Sequence, residues 1–488
     1  MPHADTSALT VISMIEGVAA PPVEFRSLKR RYPHGLVQML MVVTYIYGLT
    51  LALSLPWTLG DTILISQEWG WFALIGNLVL SVLCAFTMLR WCFVHALAFH
   101  GFNEEAPSKP AKAAVQPTVS ILVPACNEAE TMTAAIQSLI NLDYPSFEII
   151  VIDDGSVDDT FALAQAFEGD YERCSLRVYS KPNGGKWSAL NFGYNQSSGE
   201  LILCVDADSR LGHDTLWVAV ARMQRDPEIV GVAGQVTVRN RSNLLTRLQA
   251  LEYVLANGGM RMCLSTFGTV TIVPGAIGLY RRSILKEIAA LPCNMRPVAS
   301  HGDDQGRVYG PLSGETFGED FQLSLSALAL GGQVVYEPRA VAFTKGPHRI
   351  DTLISQRYRW MRGTWQVMRV YWRDLRQHAL ARNPRCDLVV NASYTVDMYI
   401  LPVVNIGFWG VIAIGGFVGV DISGILMWLL AVTLLNFMTG IIFILAQEDD
   451  LALLPYSLLM DLYLCVLVNS AWAIAAVDEA RGTRMKWH

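Results

Sequence analysis

The sequence predicts an α/β domain with a mostly parallel sheet, inserted between N-terminal and C-terminal membrane helices. Three observations carry that prediction. Hydrophobic residues make up 52% and charged residues 16% of the 488-residue chain, against roughly 25% charged in an ordinary soluble domain. Apolar stretches long enough to cross a bilayer lie toward the two ends. Between them, short apolar runs alternate with helical patterns, as strand–helix–strand units do.

Taken in order, residues 1–34 form a polar, basic segment without the apolar core or cleavage site of a secretory signal. Residues 35–98 hold two spans, Gly35–Trp57 and Trp71–Trp91, each of about twenty residues. Arg26, Lys29, Arg30 and Arg31 precede the first span and place the N-terminus in the cytoplasm. Residues 99–116, with Pro107 and Pro110, read as a linker. From 117 to 345 the pattern predicts strands at Val119–Val123, Phe147–Ile152, Leu176–Tyr179 and Leu201–Val205, with helices over Ala134–Leu142 and Thr160–Phe167. Residues 346–390 are basic and aromatic, as interfacial helices are. Residues 391–478 hold three spans, Tyr394–Val418, Ile422–Ala446 and Leu453–Val477, and 479–488 form a basic tail. Three spans leave the tail outside while its charge favours the inside; a re-entrant or interfacial segment reconciles the two. The net charge of -6 gives no basis for nucleic-acid binding. The nine cysteines lack metal-ligand spacing and read as free thiols of a reducing compartment.

Ligands of parallel α/β sheets bind at the carboxyl ends of the strands, and the acidic and glycine-rich motifs fall there. Asp153-Asp154-Gly155 is either an ordinary turn or a pair of carboxylates for a base or ribose. Asp206 and Asp208 offer oxygen ligands to a hard divalent cation bridging a diphosphate. Lys186 follows a Gly184-Gly185 turn at a helix start, which is either a phosphate cradle or a plain loop–helix junction. Asp320, with Glu319 beside it, is a candidate general base, although acidic residues also favour helix N-termini. Gln356-Arg357-Tyr358-Arg359-Trp360 combines donors for phosphate oxygens with a flat face for a sugar ring; a helix lying on lipid is the competing reading.

Four of these motifs, Asp153-Asp154-Gly155, Asp206-Ala207-Asp208, Gly318-Glu319-Asp320 and Gln356 to Trp360, stand in this order between membrane spans. The set resembles the processive, membrane-embedded family 2 glycosyltransferases: poly-N-acetylglucosamine, chitin-type and hyaluronan synthases and the cellulose synthase catalytic subunit. The resemblance implies a GT-A glycosyltransferase domain on the cytoplasmic face of the inner (plasma) membrane. It implies a uridine pocket lined by Asn127, Glu128 and Asp153, with Asp154 close by and Lys186 in the nucleotide-sugar set. Asp206 and Asp208 would hold the nucleotide and Mg2+ or Mn2+. Asp320 would deprotonate the acceptor hydroxyl beside Glu319, Gln356 and Arg359 would contact the diphosphate, and Trp360 would stack under the acceptor sugar. Arg349, Arg357, Arg362 and Trp365 read as an interfacial helix face held against lipid headgroups.

The activity implied is inverting, processive synthesis of a β-linked polysaccharide from a UDP-sugar, with export through the bilayer. UDP-N-acetylglucosamine is the first choice of donor; a UDP-glucose-using β-glucan synthase and a hyaluronan-type synthase follow. The partners implied are the donor, the growing polysaccharide and the lipid bilayer, with a small membrane subunit or export components beside them. Transfer of one sugar to a lipid carrier, and a transporter or channel, are the competing functions. Two features depart from the family pattern. Gly318 stands where relatives carry threonine, and the segment 293–315 is longer than expected, as a lid or partner contact would be.

Overall fold

The computed structural model describes residues 34–62, 70–102, 116–292, 309–418 and 423–483. The N-terminal segment, most of the linker, residues 293–308 of the long segment and the end of the basic tail lie outside the described residues. Helices α1 (His34–Thr62) and α2 (Gly70–Phe102) come first. The central domain then runs β1 (Val119–Ala125), α3 (Ala129–Ile140), β2 (Phe147–Asp153), α4 (Thr160–Gln165), β3 (Gly169–Asp170), β4 (Cys174–Ser180), α5 (Lys186–Gln196), β5 (Leu201–Cys204), β6 (Arg210–Leu211) and α6 (Thr215–Gln224). Its second half holds β7 (Ile229–Val238), α7 (Leu244–Ala256), α8 (Met262–Thr266), β8 (Gly278–Arg281), α9 (Arg282–Ala289), α10 (Glu319–Ala329) and β9 (Gln333–Thr344). The C-terminal helices are α11 (Ile350–Val370), α12 (Arg376–Arg382), α13 (Pro384–Thr395), α14 (Leu401–Val418), α15 (Ser423–Ala446), α16 (Met460–Tyr463) and α17 (Asn469–Ala480).

The sheet order is β3-β4-β2-β1-β5-β8-β7-β9-β6. β4, β2, β1 and β5 run parallel, the half that strand–helix alternation predicts. β8 is antiparallel to both β5 and β7, and β7 pairs parallel with β9, so the whole sheet is mixed. β9 hides in the sequence because Pro338 interrupts it. Glu337 and Val341 pair with the consecutive Gly234 and Gln235, so Pro338, Arg339 and Ala340 bulge out of register. A bulge is where a strand tolerates proline, since no ladder hydrogen bond is lost there.

Every residue of β1 is buried, which explains its unbroken apolar run: helices cover both faces. Val119, Ile121 and Val123 enter one core with Met132, Ile136 and Leu139 of α3 and Val220 of α6. Leu122, Ile150 and Ile152 enter the other, with Ala189 and Leu190 of α5. That second core continues into Phe99, Phe102 and Phe443 of the apolar helices. Polar contacts reinforce the junction. Arg241 donates to both oxygens of Asp449 at 2.6 and 3.0 Å, and Gln447 Nε2 donates to the Val254 carbonyl at 2.7 Å.

Among the described residues, three stretches are long and apolar enough to cross a membrane: Gly35–Leu53, Leu429–Ala446 and Leu451–Ala480. The last meets the central domain near its start, where Arg247 of α7 donates to the Tyr456 hydroxyl at 2.5 Å, and again midway, and it meets α11 near its end. Tyr463 donates to Glu252 at 2.7 Å, and Asp478 accepts from Tyr358 at 2.7 Å.

α11 corrects the expectation of a helix face laid on lipid headgroups. Arg357, Arg362 and Trp365 are buried inside the protein. Arg362 pairs with Glu479 at 2.8 Å, and Trp365 stands edge-on to Trp472 at 6.4 Å. Basic and aromatic composition does not distinguish a helix facing lipid from one clamped by carboxylates more than a hundred residues away in sequence. Arg349 is exposed and pairs locally with Asp351 at 2.8 Å.

Candidate active site

The site is built on the carboxyl ends of β1, β2 and β5 and on the N-termini of α5 and α10. After β1 the chain reverses sharply, and Asn127 takes a left-handed conformation (φ 55°) that asparagine accepts more readily than most residues. Its Oδ1 accepts from Val157 N at 2.9 Å, which ties the β1 turn to the β2 turn. Glu128 lies at the start of α3, and its Oε2 accepts from Thr131 Oγ1 at 2.8 Å. The same hydroxyl donates to the Ala207 carbonyl at 3.2 Å, so α3 also holds the Asp206-Ala207-Asp208 turn.

Asp153 and Asp154 divide their work. Asp153 accepts from Ser180 Oγ at 2.9 Å and Ser156 N at 3.3 Å. Asp154 is buried, and its carboxylate binds Lys181 Nζ at 2.5 Å, Gly184 N at 3.0 Å and Gly185 N at 2.7 Å. That carboxylate organises the glycine turn, a framework task that the sequence reading did not assign to it. Gly155 between the two turns has φ 73°, and a Cβ there would lie 2.8 Å from Asn183 N. Only glycine combines that backbone with that close approach.

Around β5 the charges converge. Lys186 Nζ lies 2.6 Å from Asp206 Oδ1 and 3.3 Å from Glu319 Oε1. Burial opposes the ammonium charge, but Asp206, Glu319 and Asp320 outweigh it and hold the Lys186 pKa well above the ordinary value. Burial pushes the Asp208 carboxyl up, with Asp206 adding to the shift. Burial also raises Glu128, opposed by the Thr131 hydrogen bond and aided by Asp208 and Asp206. Two neighbouring aspartates, both half-buried, resist sharing full negative charge, and a hard cation on their oxygens relieves that resistance. The donor set therefore fits Mg2+ or Mn2+. A different acidic group, Asp143, His213 and Asp214, lies before the amino end of β2, away from these strand ends.

Asp320 sits in the first turn of α10. Its Oδ1 accepts from Phe321 N at 2.7 Å. Burial pushes its carboxyl up to about 6, Glu319 adds to the shift and Lys186 opposes it. A carboxyl poised there can both hold and release a proton near neutral pH. Ser324, one turn on, donates to the Asp320 carbonyl at 2.7 Å and accepts from Val273 N at 3.0 Å, anchoring α10 to the loop before β8. A small cavity beside Asp320 is lined by Lys186, Leu190, Cys204, Gly275, Tyr280 and Leu323 among others.

α11 packs against the start of α10. A Cβ on Gly363 would lie 3.1 Å from the Phe317 carbonyl carbon and oxygen and from Gly318 N. Gln366 Oε1 accepts from Phe317 N at 3.0 Å. The glycine one turn beyond Trp360 thus lets the two helices touch through backbone. A Cβ on Gly318 would press on Val367 Cγ2 at 3.2 Å, so a larger residue there needs that side chain to yield by a few tenths of an ångström. Gly363→Ala is expected to displace Asp320 by tenths of an ångström and cut turnover about tenfold while the folded fraction stays normal. Unchanged turnover would disprove that packing role.

The sequence of residues 117–363 matches the profile of glycosyltransferase like family 2, half of the chain. The chain belongs to that family. Among its relatives, a poly-beta-1,6-N-acetyl-D-glucosamine synthase of Staphylococcus epidermidis is 29% identical over 266 residues, 54% of this chain and 58% of the relative. The enzyme of the same name from Staphylococcus aureus (strain COL) is 26% identical over 250 residues, 51% of this chain and 55% of the relative. Each alignment spans little more than half of the relative's length. Among solved structures, the mannosyltransferase PcManGT from Pyrobaculum calidifontis, in complex with GDP-Man and Mn2+, superposes with a TM-score of 0.53 at 17% identity. That superposition covers 83% of this chain and 99% of the other, and shows a shared GT-A-like fold.

Within this family 2 domain, Asp206, Asp208, Glu128, Lys186, Glu319 and Asp320 form one cluster, with Asn127 and Asp153 on the adjoining turns. Gln356, Arg359 and Trp360 lie on α11 before Gly363; Gln356 is half-buried, and Arg359 and Trp360 are exposed. The sequence reading missed Glu252, Lys181 and Glu479. No local pattern marks them, because each meets its partner, Arg357, Asp154 or Arg362, only through the fold.

Proposed function

We propose that this family 2 enzyme is a processive inverting glycosyltransferase that polymerises a β-linked polysaccharide from UDP-N-acetylglucosamine and passes it into the membrane beside the site. One observation carries the reading: the helix bearing Gln356, Arg359 and Trp360 meets the buried base helix backbone to backbone at Gly363 and Gly318. One rigid unit then presents an acceptor surface to the base. The donor sugar is supported by the names of the relatives, poly-beta-1,6-N-acetyl-D-glucosamine synthases.

In this mechanism Asn127, Glu128 and Asp153 line the uridine pocket at the β1 and β2 ends, while Asp154 shapes the turn below it. Asp206 and Asp208 hold Mg2+ or Mn2+, which neutralises diphosphate charge when bound. Lys186 keeps the carboxylates paired. Gln356 and Arg359 hold the diphosphate. The acceptor ring lies on Trp360, and Asp320 takes the proton of its hydroxyl as the oxygen attacks C1. The bond from C1 to the phosphate oxygen breaks, UDP leaves, and the anomeric centre inverts. No covalent enzyme intermediate is needed, so orientation and charge do the catalysis. The catalytic domain is assigned to the cytoplasmic side of the inner membrane, in a multi-pass chain. Tyr456 and Asp478, near the two ends of the last apolar run, reach that domain and α11 respectively, which supports a C-terminus on the same side.

A panel of UDP-sugars given to the detergent-purified protein tests the reading through UDP release and product length. Polymer from UDP-N-acetylglucosamine is expected; release of UDP with a single sugar added to lipid would replace the proposal with single-sugar transfer. Asp208→Ala is expected to lower turnover at least a hundredfold, about 3 kcal/mol, and to abolish its dependence on added Mg2+ or Mn2+. An unchanged metal titration would remove Asp208 from the metal site.

A further inference from the structure

Arg357 lies inside the same motif, yet the proposed chemistry gives it no task. Its side chain is 1% exposed. Nη2 donates to Glu252 Oε2 on α7 at 2.6 Å, and Nη1 donates to Gln356 Oε1 at 3.1 Å. The same Glu252 oxygen accepts from the Tyr463 hydroxyl of the C-terminal run at 2.7 Å. The guanidinium carbon lies 4.2 Å from the ring centre of Trp360 and 5.8 Å from that of Tyr253. Its Nε has no hydrogen-bond partner among the described residues, in keeping with a group packed against aromatic faces. Trp360 nevertheless keeps 44% of its surface exposed. The guanidinium covers one face of the indole, and the exposed remainder is what a sugar can meet.

A buried charge persists only where it is paired, and this one is paired with α7 and, through Glu252, with the C-terminal run. An exposed tryptophan would otherwise sample several rotamers and lose entropy when a sugar binds. We propose that Arg357 is a positioning residue: held by Glu252 and Tyr463, it fixes the plane of Trp360 and the amide of Gln356, so the acceptor platform takes its register from the C-terminal apolar run. The proposal rests on the glycosyltransferase reading above. It requires arginine rather than any cation, because a planar guanidinium can fork to Glu252 and Gln356 while lying flat on an indole, and an ammonium cannot.

The test uses the full-length protein in detergent, with UDP-N-acetylglucosamine and a soluble N-acetylglucosamine oligosaccharide as varied acceptor. Arg357→Lys is expected to raise the acceptor KM about tenfold, to raise the donor KM less, by about threefold, through the lost bond to Gln356, and to shorten the polymer. Tyr463→Phe, which removes one hydroxyl at the far side of Glu252, is expected to act in the same direction by about threefold. A purely structural ion pair would lower kcat with the folded fraction and leave the acceptor KM alone; that result overturns the proposal. If Arg357→Lys fails to fold, Tyr463→Phe decides, and an unchanged acceptor KM counts against it. Wild-type protein that releases no UDP from any UDP-sugar would instead overturn the UDP-sugar polymerase reading, and the positioning role with it.

Discussion

Asp320→Asn is expected to lower sugar transfer by ~10²–10⁴-fold, the range for losing a positioned general base. UDP binding should stay within about twofold, because the proposed mechanism has the carboxyl act on the acceptor hydroxyl and the amide keeps its shape. The Asp320 carboxyl accepts from Phe321 N, and asparagine Oδ1 can keep that bond. The expected pH profile follows from the carboxyl's own position. Burial, aided by Glu319 and opposed by Lys186, holds it up to about 6, above the ordinary aspartate value. The base works deprotonated, so activity is full above about 6 and falls as pH drops through that value, approaching tenfold per unit. The folded-state value is raised, so the folded chain prefers the protonated form. Stability from this group is present at low pH and lost as pH rises between the unfolded value and about 6. Activity and this part of stability therefore move in opposite directions with pH. Steady-state UDP release from pH 5 to 8, with melting followed in parallel, checks both. An acid limb unmoved in rate, or Asp320→Asn retaining a tenth of wild-type turnover, would sink the assignment of Asp320 as base.

How much of this was legible in the sequence depends on how far apart the interacting residues lie. β1, β2 and β5 are nearly continuous apolar runs because helices cover both faces, β4 is half-buried with its apolar residues alternating, and each shows through in a single window of sequence. The acidic pairs at their ends were readable for the same reason: a strand followed by a polar turn is a local pattern. β7, β8 and β9 were not, since β8 has four residues and β9 is broken by a proline bulge. Arg357 and Arg362 were misplaced on the lipid side because their partners, Glu252 and Glu479, lie 105 and 117 residues away. A helical window reports how many cations it holds; it does not report what faces them. Asp154 shows the same limit at short range. Its position suggested a nucleotide ligand, but its oxygens are spent on a turn whose folding the sequence does not display.

That difference makes Asp154→Ala the second decisive variant. The side chains of Asp154 and Lys181 are 4% and 10% exposed, and removing one partner of a buried pair costs roughly 3–5 kcal/mol, because the other charge stays behind without compensation. The loss of Asp154 also frees Gly184 N and Gly185 N at the start of α5, where the turn leads directly into Lys186. Two effects are expected together: a lower melting midpoint, and weaker UDP binding because Lys186 is no longer held toward Asp206. The double variant Asp154→Leu with Lys181→Met separates them. It removes both charges, so most of the stability should return, since a buried pair replaced by apolar groups of similar volume is often close to neutral. It cannot restore the bonds to Gly184 N and Gly185 N, so UDP binding should stay weak. Calorimetric UDP titration and thermal melting of wild type and both variants decide the matter. If Asp154→Ala loses UDP affinity with an unchanged melting midpoint, the carboxylate is a nucleotide ligand and the framework reading fails. If the double variant regains full UDP affinity, the glycine turn needs no carboxylate, and its order comes from the α5 helix alone.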